Sequence, residues 1–127
     1  HAIVWLDHTE AHVIHLDEDT HRAAHVRSPH GKEHLHHRSG TVASGHTATH
    51  ADFLAKIRQA IEGTPEILLV GPAQAKLDLK KYLEKQAPKI AGNVLGVETV
   101  DHPSEGQLVQ FARKFFRAAD RMRPREG

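Results

Sequence analysis

Four consecutive apolar residues, Ile67, Leu68, Leu69 and Val70, stand between Thr64-Pro65 and Gly71-Pro72 and lead straight into a lysine-rich helical pattern. A short apolar run without alternation, bounded by turn residues, marks a strand buried on both faces. Such strands occupy the middle of sheets covered by helices, so this run reads as the central strand. Gly71 allows a tight exit. Pro72 suits a first helical position, where its missing N–H would be unpaired in any case.

The remaining pattern supplies neighbours and covers. Residues 2–7 carry Ala2, Val4 and Leu6 on one parity and Ile3 and Trp5 on the other, predicting a second strand near the sheet centre. Residues 11–16 and 21–27 predict two more strands, joined by the polar turns 7–10 and 17–20, as an antiparallel meander. The third strand has the fewest apolar positions and reads as an edge. Phe53, Leu54, Ile57, Ala60 and Ile61 then fall on one helical face, with Thr49 as N-cap and Gly63 as the stop. After the central strand, Ala75, Leu79, Tyr82 and Leu83 form a second helical stripe that Pro88 closes, while Leu77 points to the opposite side. Residues 94–100 predict the fifth strand. Ser104 and Gln107 fit a capping box, followed by a helix burying Leu108, Phe111, Ala112, Phe115, Ala119 and Met122.

The order β-β-β-α-β-α-β-α predicts an α/β, ribonuclease H-like fold: a five-stranded mixed sheet, order 3-2-1-4-5, with three helices. Residues 1–122 make one domain, and 123–127 a basic tail. Only residues 28–49 break the pattern. Most connections run to about 4 to 6 residues, so a loop this long and this short of apolar residues points to function or disorder.

With 127 residues and formal net charge +1, the chain is one domain's worth, and its overall charge does not mark a nucleic-acid binder. Histidine alters that balance. The 13 imidazoles would each add a positive charge on protonation, an event centred near pH 6.5 for unperturbed histidine. The absence of cysteine excludes disulfides, thiolate metal sites and a cysteine nucleophile, and fits a cytoplasmic protein. No stretch approaches the roughly 18 apolar residues of a membrane span. The chain begins at His1 and its single methionine is Met122, which implies that initial residues precede it.

Two runs carry a family resemblance. ILLVGPAQAKLDLKKYL, residues 67–83, resembles the strand-Gly-Pro-helix segment in the central domain of Pelota and the archaeo-eukaryotic peptide chain release factors. GVETVDHPSEGQLVQFARKFF, residues 96–116, is similar to their short bacterial relatives, the translational machinery proteins. The resemblance implies a ribonuclease H-like domain with a long loop after its third strand, and a partner in the ribosome or its RNA. In release factors that loop holds a Gly-Gly-Gln motif that positions water on peptidyl-tRNA. Here the matching place reads His37, Arg38, Ser39, Gly40 and Thr41, without one glycine and the glutamine, which argues against peptide release and leaves open a noncatalytic role on stalled ribosomes of the Pelota kind. The codon-reading and partner-binding domains of full-length factors have no counterpart in these residues. The chain thus resembles a middle domain alone, whose missing domains another protein would supply, with a homo-oligomer as a further possibility.

Candidate contacts to RNA follow from the resemblance and from charge. Arg38, Ser39, Gly40 and Thr41 would reach the RNA, and Lys76, Lys80, Arg113 and Arg117 on the later helices would neutralise phosphates. A solvated helix face is the ordinary alternative for such cations. The loop histidines admit three readings. His34, His36, His37, His46 and His50 are candidate ligands to zinc or nickel, partly protonated RNA contacts, or surface histidines like His12, His15, His21 and His25 on the meander. A metal-dependent nuclease is the enzymatic alternative, with Asp7 and Asp101 closing two strands. The carboxylate cluster it requires is incomplete, because Asp52 and Glu62 sit at the two ends of the first helix.

Overall fold

The computed structural model describes residues 1–28 and 50–122. Strands β1 (Ala2–Leu6), β2 (Glu10–Leu16) and β3 (His21–Arg27) precede α1 (His50–Ile61), β4 (Ile67–Gly71), α2 (Ala75–Gln86), α3 (Pro88–Ala91), β5 (Val94–Thr99) and α4 (Glu105–Met122). They form one mixed five-stranded sheet in the order β3-β2-β1-β4-β5. The middle strand is β1, antiparallel to β2 and parallel to β4, with Val4 opposite both Val13 and Leu69. Every residue of β1 and β4 is buried, as their unbroken apolar runs require. β3 forms an edge, and its side chains are exposed or half-buried.

Strand alternation divides the core in two. Val4, Leu6, Ala11, Val13, Ile67 and Leu69 face α1, α2 and α3, whereas Ile3, Trp5, Ile14, Leu16, Leu68 and Val70 face α4. Two further positions are fixed by backbone proximity and turn geometry. A Cβ at Gly71 would collide with the Leu6 carbonyl oxygen, so glycine is set there by close strand approach. Gly63, at φ 82°, ends α1 in the left-handed region, as the sequence implied.

The structure departs from the expected elements in four places. Pro72 is not a first helical residue: it lies in the bend after β4, and α2 starts only at Ala75. Pro88 does not simply end α2: the chain opens at Ala87 and Pro88 starts the extra one-turn helix α3, so the described residues hold four helices. The buried face of α4 is Leu108, Val109, Ala112 and Phe116, while Phe111 and Met122 are exposed. Apolar residues on neighbouring positions offered two overlapping stripes, and the sheet selects the one that meets Ile3, Trp5 and Leu68. Leu95 is an extra residue in β5, since Ile67 pairs with Val94 and Leu68 with Gly96. Gly96 then leaves room for the Phe115 ring above it. The capping box of α4 is closed in both directions: Gln107 N–H donates to Ser104 Oγ at 3.1 Å, and Ser104 N–H donates to Gln107 Oε1 at 2.9 Å.

Candidate functional site

Where β1 ends, Asp7 folds the chain back. Its Oδ1 accepts the Thr9 N–H at 2.8 Å, the Thr9 hydroxyl at 3.0 Å and the Glu10 N–H at 3.0 Å. This aspartate turn fixes where Glu10 enters β2. Partial burial works against the charge on Asp7. The hydrogen bonds from Thr9 and Glu10 and the nearby His102 outweigh it, holding the carboxyl below its ordinary value of 3.8.

Parallel strands in α/β sheets offer ligand sites beyond their carboxyl ends, and here that end is rich in imidazole. Trp5 donates its indole N–H to the Asp101 carbonyl at 2.7 Å. The His102 ring lies 5.1 Å from that indole, with Nδ1 3.0 Å from Asp101 Oδ1 and Nε2 3.8 Å from Asp7 Oδ2. Trp5, Glu10, His12, Ile14, His102, Pro103, Glu105 and Leu108 line a cavity of about 160 Å³. Ligand pockets for drug-sized molecules run from about 300 Å³ upward, so this cavity suits a small ion or a few waters.

Beside the cavity, alternation puts Glu10 and His12 on the same face of β2, and the β2–β3 register sets His25 directly opposite His12. The two imidazole rings stack with centroids 4.5 Å apart and planes at 10°. Both Nε2 atoms approach Glu10 Oε1, His25 at 2.6 Å and His12 at 3.6 Å. Two other histidines of the meander hold elements together. His15 Nε2 donates to the Ala60 carbonyl of α1 at 2.8 Å, and His21 Nε2 meets Glu105 of α4 at 2.9 Å.

The expected phosphate contacts scatter. Arg38, Ser39, Gly40 and Thr41 lie outside the described residues, as do His34, His36, His37 and His46. His50 is exposed at the start of α1, its ring 5.9 Å from Phe53. Lys76 is not offered to solvent: it is buried, and its Nζ donates to the Ala73 carbonyl at 2.6 Å. Lys80 pairs with Glu84 along the helix at 2.9 Å. Arg113 spreads its guanidinium over the carbonyls of Asp17, Glu18 and Thr20, and so clasps the β2–β3 turn. Arg117 is exposed in a groove that it shares with Asp17, Glu18 and Asp120. Because α2 and α4 cover opposite faces of the sheet, these four cations form no common surface.

Among the described residues, two groups bring three ligand-type side chains together, Glu10–His12–His25 and His1–Glu66–Asp120. Neither includes Asp7 or Asp101, the carboxylates considered for nuclease chemistry. The first group is one that sequence reading placed among ordinary surface histidines. Its only sequence signal was the Glu-x-His spacing on a strand, which gains meaning once the register supplies His25.

The sequence matches no protein-family model and no curated protein. Solved structures do match. Pelota from Archaeoglobus fulgidus superimposes with TM-score 0.61 at 15% identity, over 89% of this chain and 30% of that one. Pelota from Thermoplasma acidophilum superimposes with TM-score 0.60 at 18% identity, over 88% of this chain and 31% of that one. The chain has a Pelota-like fold. It spans about a third of the length of these structures. Both are archaeal, and the expected bacterial relationship finds no support in them. Among the described residues, no helix is long and apolar enough to cross a membrane.

Proposed function

We propose that this Pelota-like domain is a cytoplasmic, ribosome-associated or RNA-binding translation factor that acts by binding and not by releasing peptide. The observation that carries the reading is the Pelota-like fold over 89% of the chain, together with the absence of a Gly-Gly-Gln sequence from residues 28–49. Arg38, Ser39, Gly40 and Thr41 contact the RNA in this reading. Lys80 and Arg117, on opposite faces of the sheet, suit a partner that surrounds the domain better than a duplex lying against one side. Lys76 and Arg113 stay with the internal contacts that already occupy them.

Cosedimentation with ribosomes across a salt series tests this. Stoichiometric binding is expected to weaken with salt, and to weaken further when Arg38 and Thr41 are both changed to alanine. Removing one phosphate contact lowers the salt slope by about 1, the change expected for Lys80→Ala or Arg117→Ala. No sedimentation even at low salt would sink the proposal.

A further inference from the structure

We infer that Glu10, His12 and His25 form a binding site for a first-row divalent cation of the zinc class. The site stands apart from the ribosome-binding proposal and uses different residues.

Three features carry it. The first is convergence. Glu10, His12 and His25 each offer one ligand atom, and the three atoms all lie within 4.8 Å of one another. Zinc–nitrogen and zinc–oxygen bonds of about 2.0–2.2 Å put tetrahedral ligands about 3.4 Å apart. The observed separations from Glu10 Oε1, 2.6 Å to His25 and 3.6 Å to His12, bracket that value. The ligand atoms are thus close to bonding separation, and the two rings, now stacked with planes at 10°, would turn out of parallel to aim both nitrogens at one ion.

The second feature is the donor chemistry. Two imidazoles and one carboxylate favour Zn²⁺ and its neighbours in the first row, whereas Mg²⁺ and Ca²⁺ demand mostly oxygen. The third is access combined with rigidity. The side chains of Glu10, His12 and His25 are between 36% and 40% exposed, so an ion can enter. Their backbones are fixed by the β2–β3 ladder and by the Asp7 turn. Three protein ligands leave a position for water or a small anion, the arrangement of open rather than closed zinc sites. Glu10 and His12 also line the cavity with Trp5, Ile14 and His102, which gives that position a bounded space to face. A bound ion would tie the edge strand β3 to β2 through side chains as well as through the ladder.

The single tryptophan gives a direct readout, because the Trp5 ring lies 5.8 Å from His12. Chelator-stripped full-length protein would be titrated with Zn²⁺ by calorimetry, and with Co²⁺ by visible absorption and Trp5 emission. Mg²⁺ serves as control. A variant with His30, His34, His36, His37, His46 and His50 all changed to alanine separates this site from any on the loop. One equivalent of Zn²⁺ should persist in the loop variant and disappear in His25→Ala, and Glu10→Gln should weaken it at least about tenfold. Co²⁺ should quench Trp5 in wild type and in the loop variant, and not in His25→Ala. His25 sits on the exposed edge strand, so its replacement leaves the core intact. Imidazole nitrogen shifts of His12 and His25 in the wild-type chain give a second measurement independent of any variant. Wild-type stoichiometry in His25→Ala, unmoved His12 and His25 resonances, or equal uptake of Mg²⁺ would overturn the assignment.

Discussion

Trp5 and Asp101 are 96 residues apart in sequence, yet the indole N–H of Trp5 donates to the Asp101 carbonyl at 2.7 Å. That bond joins the middle strand to the segment leading into α4 and sets the wall on which His102 rests. Trp5→Phe keeps an aromatic ring in the core but removes the donor and part of the buried volume. We expect a loss of at least about 1 kcal/mol, the usual net worth of such a bond before the cost of the space left behind, seen as a lower urea midpoint by far-UV circular dichroism.

Gly71 and Gly96 answer the same substitution differently. At Gly71 a methyl group meets the backbone of Leu6, which cannot move without displacing β1, whereas at Gly96 it meets the Phe115 ring at 2.8 Å, a side chain with other rotamers. Gly71→Ala should cost about 3 kcal/mol and Gly96→Ala about 1 kcal/mol, a ranking that parallel denaturation curves would check.

Arg113 holds three carbonyls of the β2–β3 turn in one planar fork. A lysine presents a point charge and cannot reproduce the fork. Both Arg113→Ala and Arg113→Lys should therefore destabilise the protein, the alanine by about 1 kcal/mol at this half-exposed position. Amide exchange at Asp17 should rise, since its N–H donates to the Thr20 carbonyl at 2.8 Å and closes the same turn. Ribosome cosedimentation of Arg113→Lys should keep its wild-type salt slope if the residue acts only as this clasp.

Asp7 gives the fold an acid limit. Its folded pKa lies below the ordinary 3.8 because Thr9, Glu10 and His102 outweigh partial burial. The stabilisation is thus complete above the unfolded value and is lost as pH falls through the lower, folded value. Asp7→Asn keeps an oxygen acceptor for the turn and removes the titration. Urea midpoints measured from about pH 5 down to about pH 2.5 should fall less steeply for Asp7→Asn than for wild type.

The sequence by itself determined the five-stranded topology, the element order apart from the short helix α3, and the local stops. Each of these is written in short-range pattern: the unbroken runs of β1 and β4, the glycine at position 63 and the reciprocal Ser104–Gln107 cap. Burial of whole strands and closure of a single turn depend on residues close in the chain, so periodicity and spacing disclose them.

Tertiary structure alone decided which side chains meet. The crossovers put α2 and α4 on opposite faces, which separates Lys80 from Arg117, buries Lys76 and turns Arg113 onto a distant turn. The inter-strand register then set His12 against His25 and brought both to Glu10. A charge or an imidazole carries no sign in sequence of what lies across a sheet, because that partner is chosen by register and by helix placement, and a shift of one residue would turn each side chain to the other face.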